Sequence, residues 1–229
     1  MGFYTLFTFP ATNGTIYSSS LKGTTMGKSS KRKTPNYRTL KQNINKIDKL
    51  YRDICHRINE DNRPLFELVQ GSTNNHQTWP GGYSDHINDG MNLIRHLYKF
   101  FKKFGRRLPF SCSDALLVFF LHDLEKPWRI EIVDGVARNR AGLKTKLQFK
   151  KFREKKLLEY GLELTPALQN AFTYIEGEYK DYTPTRRVMN ELAAFCHAVD
   201  TWCARGWYDY PKAESDEWYG AGRFRTTKK

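Results

Sequence analysis

With 229 residues, 38 lysines and arginines against 24 acids and a formal charge of +14, the chain has room for one substantial core and is biased toward polyanionic partners. Its hydrophobic content of 39 %, with 14 % aromatics, excludes disorder throughout. No apolar run approaches the roughly 20 residues of a membrane span, and the four cysteines (Cys55, Cys112, Cys196, Cys203) form no CxxC pair, so reduced thiols in a cytoplasmic, non-membrane protein are expected.

The opening "MGFYTLFTFPATNG" is too short to cross a bilayer and lacks a basic secretory start. Met26 is as natural a start as Met1. Residues 1–36, which include "SSSLKGTTMGKSSKRKTPNYR", read as a disordered basic extension or as an arm for nucleic acid. The main domain is expected over 37–208, with a tail over 209–229.

In "TLKQNINKIDKLYRDICHRINE" the positions Ile44, Ile47, Leu50, Tyr51, Ile54 and Ile58 recur at spacings of three and four, which predicts one amphipathic helix. The turn-forming stretch "GSTNNHQTWPGGYS" follows, then a helix from about Asp85 to Phe104 that ends at Gly105. Ser111 or Ser113 caps the next, "DALLVFFLHDLE", which is apolar on all sides and therefore central; Pro127 is expected to stop it. "WRIEIVDGVARNR" predicts a short hairpin turning at Asp134-Gly135, near residues 129–139. A basic helix, "TKLQFKKFREKKLLEY", closes at Gly161. Thr165-Pro166 opens another, and Thr183-Pro184 repeats the device before "TRRVMNELAAFCHAVDTWCAR". The fold class is thus all-α with one short hairpin.

"LHDLEKPW" sets His122 and Asp123 directly after the buried run "ALLVFFL". An ionised aspartate there is costly unless it is paired, hydrogen-bonded or bound to metal. Adjacent helical residues point about 100° apart, so both reach one ion only where the helix ends and the chain turns. Further candidate ligands are His86, after "WPGGYSD", and Asp200, within "FCHAVDTW".

This ordered set, with "GGYSDH" before the first histidine and "HDLEKP" close to HD-x-G-K-P, resembles the H…HD…D signature of the HD-domain superfamily of metal-dependent phosphohydrolases over roughly residues 40 to 208. The resemblance implies an HD-type helical bundle in which His86, His122, Asp123 and Asp200 hold one divalent cation. Two imidazoles and two carboxylates suit Mn, Fe, Co, Ni or Zn, and Mg with extra waters. It further implies hydrolysis of a phosphate ester or anhydride by a metal-bound water, with Lys126 as a phosphate contact. Glu125 stands where glycine is usual; it is either a solvated or Lys126-paired carboxylate, or one that orients water or acts as general acid. The extra histidines of two-metal members are absent, and "YIEGEYKDY" offers Glu176 and Glu178, which favours a single metal. Either glutamate is a candidate for activating water or binding substrate, or an exposed helix-end carboxylate.

Around this set, His197 is a core histidine or a phosphate contact, and Arg205 a phosphate contact or the partner of an acid. His76 and Trp79 lie in the loop before His86, where an aromatic can stack on a base or pack in the core. His56 and His96 read as surface residues. The chain resembles most the nucleotidase and deoxynucleoside triphosphate triphosphohydrolase members, so a nucleotide is the expected substrate. The alternatives are an HD-type nuclease or phosphodiesterase acting on nucleic acid or cyclic oligonucleotides, with "KLQFKKFREKK" as an electrostatic track, and a non-catalytic nucleic-acid-binding protein. Association into a homo-oligomer is compatible with any of these.

Overall fold

The computed structural model describes residues 37–72, 76–134 and 136–206; the basic arm and the tail lie outside them. These residues form an all-α fold with one hairpin, as expected. Helix α1 (Leu40–Ile44) opens at a capping box between Thr39 and Gln42. The chain turns at residues 45–48 before α2 (Lys49–Asp61), so the single helix expected across this stretch is in fact two. The Asp48 N–H leaves the helical ladder and donates to Ser113 Oγ at 2.7 Å. Because the turn changes the phase of the apolar positions, Ile44 and Ile47 are both fully buried, whereas Leu50 is 74 % exposed. Helix α3 (Arg63–Leu68) follows, with Pro64 in its first turn, where a missing N–H costs nothing.

Helix α4 (Gly82–Lys103) starts three residues before the expected Asp85, because Gly81, in the left-handed region at φ 79°, turns the chain into it. A Cβ on Gly82 would lie 1.9 Å from the Gln77 carbonyl oxygen, so only glycine lets the preceding loop lie this close. Gly105, at φ 77°, ends the helix as expected.

Helix α5 (Cys112–Leu121) is capped by Ser111, whose side chain and Asp114 form a capping box. Residues 115–121 are all buried, and the helix packs against α4 and the helices at 166–174 and 191–205, in the central position its composition predicted. It does not run on to Pro127. It ends at Leu121, His122 to Glu125 form a turn, and Pro127 sits in the first turn of a new short helix, α6 (Lys126–Arg129). Proline here starts a helix rather than stopping one.

Strands β1 (Ile130–Val133) and β2 (Val136–Asn139) pair antiparallel with Val133 opposite Val136, and Asp134 at φ 51° begins the expected turn. Helix α7 (Lys146–Glu159) is capped by Thr145 with Gln148 and closed at Gly161; α8 (Pro166–Tyr174) is capped by Thr165. The second Thr-Pro does not cap a helix: Thr183 bridges to Arg186 in a tight turn, and Asn190 caps α9 (Glu191–Arg205) instead. None of the four cysteines is in a disulfide, and among the described residues no helix is long and apolar enough to cross a membrane.

Phe119 of α5 packs directly on Gly90 of α4, where an added Cβ would fall 2.0 Å from ring carbons of Phe119. Gly90→Ala is expected to destabilise the protein by about 1–3 kcal/mol through overpacking, which outweighs the gain of about 1 kcal/mol in helix propensity. Urea unfolding checks this; equal or greater stability would show that the two helices do not meet there. The Phe119 ring also lies against the rings of His86 and His122, at centroid distances of 5.7 and 4.6 Å, so the same substitution disturbs the site described next.

Candidate metal centre

Three helices deliver the expected ligands to one place. His86 comes from the second turn of α4, His122 from the C-terminal end of α5 and Asp200 from the interior of α9. The ligand atoms of these three lie within 4.8 Å of one another, and the cluster could hold a metal ion. His86 Nε2 is 3.4 Å from His122 Nε2 and 3.2 Å from Asp200 Oδ1, which is 3.5 Å from His122 Nε2. Donors each about 2.1 Å from a shared ion would be separated by such distances.

The chain turn after Leu121 brings in Asp123. Its Oδ2 lies 3.0 Å from His122 Nε2 and 3.6 Å from His86 Nε2, but it is also paired with Lys126 Nζ. The fourth expected ligand therefore stands beside the mutual set of three, engaged by the lysine expected to contact phosphate.

His122 is oriented for coordination. Its Nδ1–H donates to the Phe119 carbonyl at 2.7 Å, which directs Nε2 into the cluster. Burial opposes its charge, yet the carboxylates of Asp123 and Asp200 raise its pKa to about 10, so without metal it is an imidazolium. Burial lowers the pKa of His86, which stays neutral, and its Nδ1 is buried without a hydrogen-bond partner among the described residues. Against the pull of burial, the charges of His122 and Lys126 hold the Asp123 carboxyl well below the usual range, and hydrogen bonds from His122 and His86 do the same for Asp200. Burial likewise opposes the charge of Lys126, but Asp123 raises its pKa.

Of the two loop residues before α4, His76 reaches the site. The loop is stapled: Gly71 N–H donates to the Gln77 carbonyl at 2.9 Å, and His76 N–H donates to Ser72 Oγ at 2.8 Å. This seats the buried His76 ring 4.9 Å from that of His86. Its Nδ1 is bonded to Gln77 Oε1, and burial, with the nearby Lys126 and His86, lowers its pKa to about 3. Trp79 donates from Nε1 to Asp85 Oδ2 at 2.7 Å, fixing the first turn of α4.

Glu125 is neither solvated nor paired with Lys126. It is buried, with Oε2 3.1 Å from Arg153 Nη1 and Oε1 3.7 Å from Arg129 Nη1. Burial and the neighbouring Asp123 push its carboxyl up. Arg153 also reaches Glu176 Oε1 at 3.5 Å and lies over the Phe172 ring, so Glu176 joins the edge of this network rather than the metal cluster. Sequence reasoning placed Arg153 in a surface track; the signal it passed over is that Arg153 shares the apolar face of α7 with Phe149 and Leu157, at spacings of four.

Glu178 serves the backbone, its Oε1 accepting the N–H groups of Val188 and Met189 at 3.2 and 3.0 Å in the approach to α9. His197 Nδ1–H donates to the Ile175 carbonyl at 2.7 Å, tying α9 to the end of α8. Arg205 is exposed in the last turn of α9, five residues past Asp200 and so on another side of the helix. Of the expected substrate contacts, Lys126 alone is in the cluster. In comparisons with family models, curated proteins and solved structures, the chain matches none.

Proposed function

We propose that the chain is a metal-dependent phosphohydrolase acting on nucleotides, with His86, His122, Asp123 and Asp200 holding one divalent cation. The observation that carries the reading is the convergence of two imidazoles and a carboxylate from three helices, with a second carboxylate alongside, in the order H…HD…D. The residues fit the ion: His122 has its distal nitrogen tied back, and the nitrogen and oxygen donors are those that Mn, Fe, Co, Ni and Zn accept, and Mg with added waters. When bound, such a cation supplies Lewis acidity toward a phosphoryl oxygen and lowers the pKa of water.

The residues around it favour an anion. Two aspartates offset a dication, and the Glu125–Glu176 carboxylates are offset by Arg153 and Arg129, which leaves the charge of Lys126 for phosphate. The network of Arg153 holds the turn from Asp123 to Lys126 in place. Asp200 is the most accessible of the four, its side chain 21 % exposed where Asp123 is 5 % and the histidines 1 %, so a phosphate group approaches from the α9 side. Such depth favours a nucleotide over the interior of a strand. Four cysteines without a disulfide suit a reducing compartment such as the cytoplasm.

The test is incubation with manganese and a panel of nucleoside mono- and triphosphates, resolved by chromatography beside Asp123→Ala. Metal-dependent release of phosphate or triphosphate, lost in the variant, is expected. Turnover that survives in Asp123→Ala, or that needs no metal, would end this reading.

A further inference from the structure

The far end of α4 carries a surface that the metal cluster does not use. Residues 98–107 read "YKFFKKFGRR". Phe100 and Phe104, one turn apart, are 56 % and 66 % exposed, with rings 16° from parallel and centroids 5.9 Å apart. Phe101, by contrast, turns inward against Phe195. Lys99 and Lys103 lie next to the exposed pair around the helix; Lys102, Arg106 and Arg107 belong to the same stretch, all five are exposed, and none forms an ion pair among the described residues. The carbonyls at the helix end account for two of these cations, Lys102 and Lys103 in the last turn. They do not account for five, nor for two phenylalanines left in water.

We propose that this surface binds single-stranded nucleic acid, with unpaired bases stacking on Phe100 and Phe104 and phosphates following the five cations. Aromatic faces recognise any base that is not already stacked in a duplex, and clustered lysine and arginine gain affinity by releasing counterions. The arrangement fits a strand better than a duplex, whose base faces are hidden. It also fits a strand better than an anionic membrane, which an amphipathic helix engages along a long apolar face rather than through two rings at one end. Phe100 lies 14 residues beyond His86, about 21 Å along the helix, so the surface is separate from the cluster and does not rest on the hydrolase reading.

The experiment uses the full chain in EDTA, so that hydrolysis plays no part, and fluorescence anisotropy with a labelled single strand of about 15 nucleotides and the matching duplex, a length chosen to fill one such site. The single strand is expected to bind about tenfold tighter than the duplex. Phe100→Ala/Phe104→Ala should lose about tenfold or more for the strand and leave the duplex unchanged. Lys99→Glu/Lys103→Glu should weaken both and flatten the dependence on salt. Circular dichroism checks that both variants, altered only at exposed positions, keep their helices. Equal affinity for strand and duplex would overturn the proposal, as would an aromatic double variant that binds like the parent, which would assign binding to the N-terminal arm or α7. Binding to phosphatidylserine vesicles without binding to the oligonucleotide would overturn it in favour of a membrane surface.

Discussion

Asp200→Asn is expected to lower the affinity for manganese by more than about 100-fold, beyond the 10- to 100-fold that loss of an outer-shell partner costs. The substitution keeps the side chain's shape and removes only its charge. Asp200 Oδ1 is the oxygen that lies near both histidine Nε2 atoms, and it is the one carboxylate of the cluster without a lysine on it. The helix carrying it is anchored independently by Leu192, Cys196 and Val199 in the core, so the variant should fold. Isothermal titration with manganese reads the effect directly. Unaltered affinity would remove Asp200 from the site and leave the convergence of the three helices without a metal.

The second large effect concerns protons. In the metal-free protein the His122 pKa, about 10, lies above the 6.5 of an unperturbed imidazole, whereas coordination requires the neutral ring. Each cation that binds at pH 7 is therefore expected to displace about one proton, and affinity should rise about tenfold per pH unit from 7 toward 10. Titration in two buffers of different ionisation enthalpy counts the protons. No proton release would mean that His122 is neutral in the free protein or does not bind the ion.

The same groups set how stability varies with pH when metal is absent. A histidine whose folded pKa is raised stabilises the fold fully below its unfolded pKa of about 6.5 and loses that contribution as pH climbs through about 10. Asp123 and Asp200, depressed in the folded state, stabilise it above about pH 3.9 and lose that contribution as pH falls. His76 and His86, whose pKa values burial lowers, stay neutral in the folded state and so cost stability as pH falls below about 6.5. Thermal unfolding in EDTA should accordingly peak near pH 6.5, whereas saturating metal should move the optimum upward.

Much of this was legible along the chain. Local chemistry with one physical solution was read directly: a serine cap before the apolar helix, glycine at the ends of α4 and α7, Thr165-Pro166 at the start of α8, and a short hairpin, whose strands meet with Val133 opposite Val136. An all-apolar stretch of seven residues, 115–121, has nowhere to lie but the centre, and it lies there. The order of His86, His122-Asp123 and Asp200 pointed to these residues through its resemblance to an H…HD…D signature, and the packing of three helices brings His86, His122 and Asp200 together. The break between α1 and α2 was not legible, because an apolar spacing of three and four continues across it and the competing bond, from Asp48 to Ser113, joins residues 65 apart.

The rest required the tertiary structure. Glycine at positions 82 and 90 matters only because Gln77 and Phe119 approach there, and nothing near either glycine in sequence announces those neighbours. His76 became part of the centre through a stapled loop, and Arg153 turned from a surface charge into the buried partner of Glu125 through the packing of α7. Periodicity and caps state which face of an element is apolar and where it ends. Which buried charge meets which is settled only when the helices pack, since desolvation makes a partner from elsewhere in the chain obligatory without saying which one it will be.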